Sequence, residues 1–312
     1  MQRPYLSVVS PVYNAEKIVD ELVKRVSAEA EKITDRYEIV LVEDGSPDHS
    51  WQKIEENCRQ NSKIRGIKLS RNFGQHFAIT AGLDYAEGDY VVVMDCDLQD
   101  DPGYFHDLLE LGLQGNDIVY TMKENRKHGF FKNVTAALFN LIFNYLIENK
   151  NWKSNGNVGA FSLLSRKAVL GFRKFNDYQR HYLMVLRWLG FQSAYLQIEH
   201  KKRFEGKSSY NFSKMLIHAI NGITSQSDKL LRLNVAVGII ISLLAFFSAM
   251  VIITLYFTQG FLSGWASLIV TLFFSTGVLL TSIGLTGIYV GKTFEQVKNR
   301  PKYIVDTILN EI

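Results

Sequence analysis

The sequence predicts an α/β protein: a mostly parallel, Rossmann-like sheet with helices on both faces, then an interfacial amphipathic helix and two transmembrane helices. Three observations carry this. Up to about residue 122, short apolar runs alternate with amphipathic segments, the pattern of strands joined by helical crossovers. Polar clusters follow the first four apolar runs, where ligands of such sheets bind. Between Arg232 and Lys292 there is no Asp, Glu, Lys or Arg, and that interval holds two apolar runs longer than the ~20 residues a helix needs to cross a bilayer.

In chain order, "YLSVVS", "YEIVLV", "IRGIKLS", "YVVVMD" and "DIVYTM" read as strands, with helices beginning near Glu16, Asp48, Gln75 and Pro102 between them. A long helix is expected over His128 to Asn149, then the turn-rich "KNWKSNGN", a strand "VGAFSLLS" and two helical pieces. The second piece, "QRHYLMVLRW", reads as a helix with Trp188 in the core. A strand "FQSAYLQIEH" leads to the basic loop "KKRFEGKSSY". Residues 211–231 place Met215, Leu216, Ala219, Ile220 and Ile223 on one helical face, which suits a helix lying on a membrane; an ordinary helix packed on the domain is the alternative.

The apolar runs 233–257 and 265–289 are separated by the uncharged "TQGFLSG", and neither has the polar face of a soluble helix. Lys229 and Arg232 precede the first run; Lys292, Lys298, Arg300 and Lys302 follow the second. Positive-inside bias therefore puts both ends in the cytoplasm, and polar residues leading directly into "YLSVVS" do not form a signal peptide. The expected organisation is a cytoplasmic domain 1–210, an interfacial helix 211–231, two spans within 232–292 and a cytoplasmic tail 293–312. A net charge of +4 is too small to argue for nucleic acid. Cys58 and Cys96, the only cysteines, are expected to be reduced thiols in that compartment, at a spacing that fits no zinc site.

The chemistry concentrates in "VVVMDCDLQDDP", an apolar run ending in Asp95, Asp97, Asp100 and Asp101. Like charges so close repel unless something positive sits among them. If the strand continues, alternation puts Asp95 and Asp97 on one side and Cys96 on the other. With the amide oxygen of Gln99, the pair forms an all-oxygen site suited to Mg²⁺ or Mn²⁺. A plainer reading is that Asp97 or Asp100 starts the helix beside Pro102, which accounts for one Asp but not the pair. In "VEDGSPD", Gly45, Ser46 and Pro47 form a turn and Asp48 can cap the next helix, leaving Asp44 to hydrogen-bond a ligand, a base or a ribose.

These stretches, with "SVVSPVYNAE", "LVEDGSPDHS", "LSRNFGQHFAITAGLDYAEGDYVVVMDCDLQDDP", "RFEGKSSY" and the paired apolar runs in this order, resemble the family 2 glycosyltransferases of the GT-A fold. Within these the chain is similar to the polyprenyl-phosphate glycosyltransferases, the group including dolichyl-phosphate mannosyltransferase, over nearly its whole length. The resemblance implies that Pro11, Tyr13 and Asp44 line a nucleotide pocket. Glu16, one place beyond Ala15 where the family carries an acid, is counted with them. It also implies that Asp95, Asp97 and Gln99 hold Mg²⁺ or Mn²⁺ on the donor diphosphate. The implied reaction is inverting transfer of a sugar from a nucleotide sugar to a polyprenyl phosphate, at the inner membrane of a cell. A UDP-sugar is preferred over a GDP-sugar because bacterial relatives with this paired ending often use it.

An ionised phosphate acceptor needs cations rather than a base. Arg126, Lys132, Arg180, Arg203 and Lys214 stand where similar proteins carry basic residues, and Lys207 with Arg203 flanks Gly206; Lys123 follows the fifth strand. Attraction to anionic lipid headgroups is the alternative role for each. Ala15, Ala160, Ser162 and Ser209 depart from the family pattern, the second and third replacing an acid and an arginine. They leave the acidic pair intact and bear on acceptor or sugar choice. The competing functions are a non-catalytic nucleotide-sugar-binding scaffold, or transfer to a hydroxyl acceptor, for which a carboxylate base is expected. Paired spans and an interfacial helix also lead us to expect a homo-oligomer.

Overall fold

The computed structural model describes residues 3–123, 158–178, 180–199, 228–259 and 264–311. Of these, the residues up to 199 and from 300 onward form one compact unit, and 228–259 with 264–299 form another. The expected helix over 128–149, the basic loop 201–210 and most of the interfacial helix 211–231 lie outside the described residues.

The first unit runs β1 (Leu6–Val12), α1 (Val19–Ile33), β2 (Tyr37–Glu43), α2 (Ser50–Gln60), β3 (Ile64–Leu69), α3 (Gln75–Tyr85), β4 (Tyr90–Val93). A 3₁₀ turn at Pro102–Tyr104 leads into α4 (Phe105–Leu113), then β5 (Ile118–Lys123), β6 (Val158–Ser165), α5 (Arg166–Lys174), α6 (Tyr182–Leu189) and β7 (Ser193–Ile198). Eight strands form one sheet in the order β7-β5-β6-β4-β1-β2-β3-β8, where β8 is Val305–Leu309. The centre is parallel: β1 pairs with β2 and β4, and β2 with β3. Strand β6 runs antiparallel to β4 and β5, and β8 antiparallel to β3.

Both faces of that centre are dry, which is why its strands read as continuous apolar runs rather than alternating ones. Val8, Ile39, Leu41 and Val92 pack on one side with Leu22, Val26, Ile54 and Leu108. Their neighbours Val9, Val40, Val42 and Val93 pack on the other with Ala78, Ile79, Leu83 and Phe172. Helix α3 comes so close to the sheet that a Cβ at Gly82 would lie 2.2 Å from Val9 Cγ1. That contact fixes the helix whose first turn enters the site.

Three expectations need correction. Strand β4 stops at Val93, so strand alternation does not govern Asp95 to Asp97. Trp188 is not in the core: it is 64 % exposed, with an edge contact to Phe175 at 4.8 Å between ring centres. Tyr182, on the inner face of α6, is the aromatic that is buried there. The segment read as a tail from residue 293 is instead the end of a helix followed by a strand of the sheet. Strand β8 covers the edge of β3, an exposed row of N–H and C=O groups that would otherwise invite pairing with another chain. It is fastened by Tyr303 Oη donating to Asp84 (2.9 Å), Lys302 donating to the Phe175 carbonyl (2.7 Å) and Asn310 donating to the Cys58 carbonyl (2.8 Å).

The second unit contains α7 (Lys229–Gln259) and α8 (Trp265–Val297), 31 and 33 residues long. At 1.5 Å per residue each reaches beyond the ~30 Å hydrocarbon core of a bilayer, and both are long and apolar enough to cross a membrane. One polar pair joins them: Ser282 of α8 donates to the side-chain oxygen of Asn234 on α7 at 2.8 Å, so neither group has to face hydrocarbon alone.

Candidate active site

Strand β1 is followed on one side by β2 and β3, while β4 lies on its other side. The crevice beyond the carboxyl ends of β1 and β4 is therefore the switch point where open parallel sheets bind ligands. Three loops meet there: the one after β1 carrying Tyr13, the one before α3, and the acidic loop after β4.

The first two strand ends are stapled together. Glu16 N–H donates to Asp48 Oδ2 (3.0 Å), and His49 N–H donates back to Glu16 Oε2 (2.9 Å). Asn14 N–H donates to Ser46 Oγ and Ala15 N–H to Ser50 Oγ, while Ser46 N–H donates to Glu43. Asp48 accepts from both the N–H and the hydroxyl of Ser50, which ties down the start of α2. These bonds hold its carboxyl below the usual carboxylate range although burial acts against them. Glu16 thus braces the loops. Pro11 is buried within β1, but Tyr13, just past its end, keeps 51 % of its surface open.

Asp44 is only 3 % exposed, and both of its oxygens are in use. Phe73 N–H donates to Oδ1 at 2.7 Å and Gly74 N–H to Oδ2 at 2.9 Å. Burial raises its carboxyl above the ordinary value against the pull of those two donors. Its neighbour Gly45 turns with φ +64°, and a Cβ there would fall 2.3 Å from Asn72 N. The loop before α3 is therefore pressed onto the end of β2, and Asp44, which the sequence left to hydrogen-bond a ligand, organises that loop.

The acidic loop is built from turns. Leu98 takes φ +55°, a conformation that costs a branched residue energy and is held where the surroundings require it. Gln99 N–H then reaches Asp97 Oδ1 at 3.1 Å. Asp95 Oδ1 accepts from Gln75 Nε2 at 2.6 Å. Asp100 is buried, and the residue that caps the turn at Pro102 is Asp101, which accepts from Gly103 N–H at 3.1 Å, not Asp97 or Asp100. Among the described residues no group of three or more His, Cys, Asp or Glu forms a protein cage for a metal. Two carboxylates oriented by amide donors nevertheless fit Mg²⁺ or Mn²⁺, which keep few protein ligands and complete their shell with water and phosphate oxygens.

Cys96 turns away from this loop and packs against the core. Burial, and then the charge of Asp95, push its thiol up to about 12; burial pushes Cys58 up to about 11. At pH 8 buried Cys58 should stay a thiol, and only thiolates alkylate readily. Iodoacetamide is therefore expected to leave Cys58 unmodified in the native protein and to label it in urea, where the ordinary value near ~8.5 returns; mass spectrometry reads the difference.

Of the basic residues singled out in the sequence, Arg126, Lys132, Arg203, Lys207 and Lys214 lie outside the described residues. Arg180 is turned into the protein interior. It is 4 % exposed, lies 4.9 Å over the Phe172 ring and donates to the Phe172 carbonyl at 3.1 Å. Asp84, at the opposite end of α3 from Gln75, is the first charge that offsets its burial. On β6, the Ser162 hydroxyl bonds the Ala160 carbonyl and the Tyr182 hydroxyl, both at 2.8 Å. Three residues not anticipated stand nearby: Gln75 on Asp95, and His76 tilted against His181 with ring centres 4.2 Å apart. The polar cluster "RNFGQH" was a signal that something binds there, without saying what.

A mixed, mostly parallel sheet with an acidic loop at its switch point is the GT-A architecture, and this chain adds two bilayer-length apolar helices. The glucosyl-3-phosphoglycerate synthase of Mycobacterium tuberculosis, solved with Mn²⁺, UDP and glucosyl-3-phosphoglycerate, shares this fold: TM-score 0.51, 16 % identity, 71 % of this chain and 78 % of that one. The description "Glycosyl transferase family 2" matches residues 7–171, and the chain belongs to that family. It is 34 % identical to the uncharacterised glycosyltransferase YkcC of Bacillus subtilis over 96 % of this chain and 92 % of that one. It is 30 % identical to the undecaprenyl-phosphate 4-deoxy-4-formamido-L-arabinose transferase of Edwardsiella ictaluri, over 98 % and 94 %.

Proposed function

We propose that the protein transfers a sugar, with inversion, from a nucleotide sugar to a polyprenyl phosphate at the cytoplasmic face of the inner membrane, with Mg²⁺ or Mn²⁺ at Asp95 and Asp97. The observation that carries this is the convergence of Tyr13, Asp95 and Asp97 at the switch point of a chain that also has two bilayer-length helices. The full-length similarity to undecaprenyl-phosphate sugar transferases supports the acceptor class. Strands before and after the apolar helices belong to one sheet, so two crossings return the chain to the side it left, in agreement with the basic flanks.

In this reading Tyr13 presents its ring to the base, and a UDP-sugar is the preferred donor. Asp95 and Asp97, with Gln99, hold the divalent ion. When bound, that ion offsets negative charge on the departing nucleoside diphosphate. The acceptor arrives ionised, so the chain has to supply cations, and Arg126, Lys132, Arg203, Lys207 and Lys214 are the residues assigned to that task. Absence of a base fits position 160, which is alanine, and Ser162, whose hydroxyl is already committed to Ala160 and Tyr182. A polyprenyl phosphate is favoured over a hydroxyl acceptor for that reason.

The test is transfer of radiolabelled sugar from UDP- and GDP-sugars to added polyprenyl phosphate by the purified protein, with Mg²⁺ or Mn²⁺. Label is expected in the organic phase, and mass spectrometry of that product names the sugar. Transfer only to a soluble hydroxyl acceptor, or none from any common donor, would overturn the proposal.

A further inference from the structure

We infer that Gln75 is a positioning residue for the diphosphate end of the site: its side-chain amide sets the rotation of the Asp95 carboxylate, and the Asp44–Gly45 lock holds it in register. The inference rests on the reading of Asp95 as a metal ligand. Three contacts form the chain of cause. Both oxygens of Asp44 are bonded to Phe73 and Gly74 N–H. Gly45 gives way to Asn72 and Arg71 so closely that no side chain fits. The next residue after that clamped pair, Gln75, opens α3 and spans to Asp95 Oδ1 at 2.6 Å.

The lock matters because a long exposed glutamine, left alone, gives little orientation: its rotamer entropy opposes a single surface hydrogen bond. Here its backbone is fixed twice over, by a buried carboxylate and by a turn that admits only glycine, and the helix it opens is held against the sheet at Gly82. Only the side-chain torsions of Gln75 remain to be ordered. An amide donor aimed at one oxygen of a ligating carboxylate is the usual device for orienting a metal ligand, and removing such a partner typically lowers metal affinity about 10–100-fold. Buried Asp44 thereby acts on the metal through Gln75 without touching it.

The experiment uses the full-length protein in detergent, with free Mn²⁺ measured by electron paramagnetic resonance during titration in the presence of UDP. Gln75→Met keeps the length of the side chain and removes the donor; because Gln75 is exposed, the fold should tolerate it. Mn²⁺ affinity is expected to fall about 10–100-fold while UDP binding in EDTA is unchanged, and saturating Mn²⁺ should restore turnover. Gln75→His, which can present an N–H at similar reach, should recover most of the lost affinity. Wild-type Mn²⁺ affinity in Gln75→Met, or equal losses in both variants, overturns the positioning role while leaving the metal reading intact. A wild-type protein that binds UDP but no Mn²⁺ overturns the metal reading and this inference with it.

Discussion

Asp97→Ala should abolish sugar transfer while leaving the protein folded. Asp97 is partly exposed at the switch point and accepts from Gln99 N–H at 3.1 Å within its own loop, so its carboxylate is not part of the apolar core. What is lost is a ligand for the ion that stabilises the leaving diphosphate. Lewis-acid stabilisation of a transition state is worth several kcal/mol, and each 1.36 kcal/mol is a factor of ten, so turnover should drop on the order of 10³-fold or more. The paired control is Asp101→Ala, four residues on. Asp101 caps the turn at Pro102 through Gly103 N–H, and losing such a cap costs about 1 kcal/mol of stability with no ligand removed. Steady-state transfer assays on both variants, with thermal denaturation alongside, separate chemistry from folding. Similar mild losses in the two would remove Asp97 from the metal site.

That contrast marks where the sequence was legible. The five strands before residue 123 and the strand "VGAFSLLS" could be read because burial on both faces demands unbroken apolar runs, and the apolar helices because hydrocarbon tolerates no charge. Polar residues could be located but not assigned. Asp44, Asp95 and Asp97 all follow strands, yet only the fold decides that Asp44 turns inward to two backbone donors whereas Asp95 meets a side chain from α3. Its partner Gln75 lies 20 positions earlier in the chain, a pairing no periodicity encodes. Arg180 is similar, since a cation in sequence gives no sign that it will be buried over the ring of Phe172.

The C-terminal strand was illegible for another reason. "VDTIL" is short, half-buried and follows a bilayer-length helix, so composition marks it as a tail. Its information lies in β3, whose open edge needs a partner, and in the contacts of Tyr303 and Asn310 with residues more than 200 positions away. Trp188 shows the opposite error. An aromatic in an apolar helix is normally assigned inward, but the face of α6 that packs on the sheet carries Tyr182, Val185 and Leu186, and position 188 falls off that face at 3.6 residues per turn.

Glu38→Ala should be the most destabilising of the substitutions considered, with no direct effect on chemistry. Glu38 and Arg65 are both buried at the amino ends of β2 and β3, 3.6 Å apart. Ser7 Oγ and Glu87 N–H both donate to Glu38 Oε1 at 2.6 Å, Gly88 N–H donates to Ser7 Oγ at 2.7 Å, and Arg65 donates to the Tyr85 carbonyl at 2.5 Å. The carboxylate thus closes the bottom of β1, β2 and β3 and the end of α3 in one network. Truncating it strands the Arg65 charge in the interior, and breaking a buried pair from one side costs about 3–5 kcal/mol. Replacing both partners with Met removes the stranded charge, and exchanging a buried pair for apolar side chains is often neutral or stabilising, so the double variant should recover most of the loss. Because Glu38 stands five residues before the active-site end of β2 at Glu43, roughly 17 Å along a strand, folded Glu38→Ala should keep the wild-type KM for donor and metal. Thermal denaturation in detergent of wild type, Glu38→Ala and the double Met variant reads the loss and its recovery. A single variant as stable as wild type would show the network to be incidental to the fold, and a shifted KM would show the lower end of the sheet to be coupled to the site.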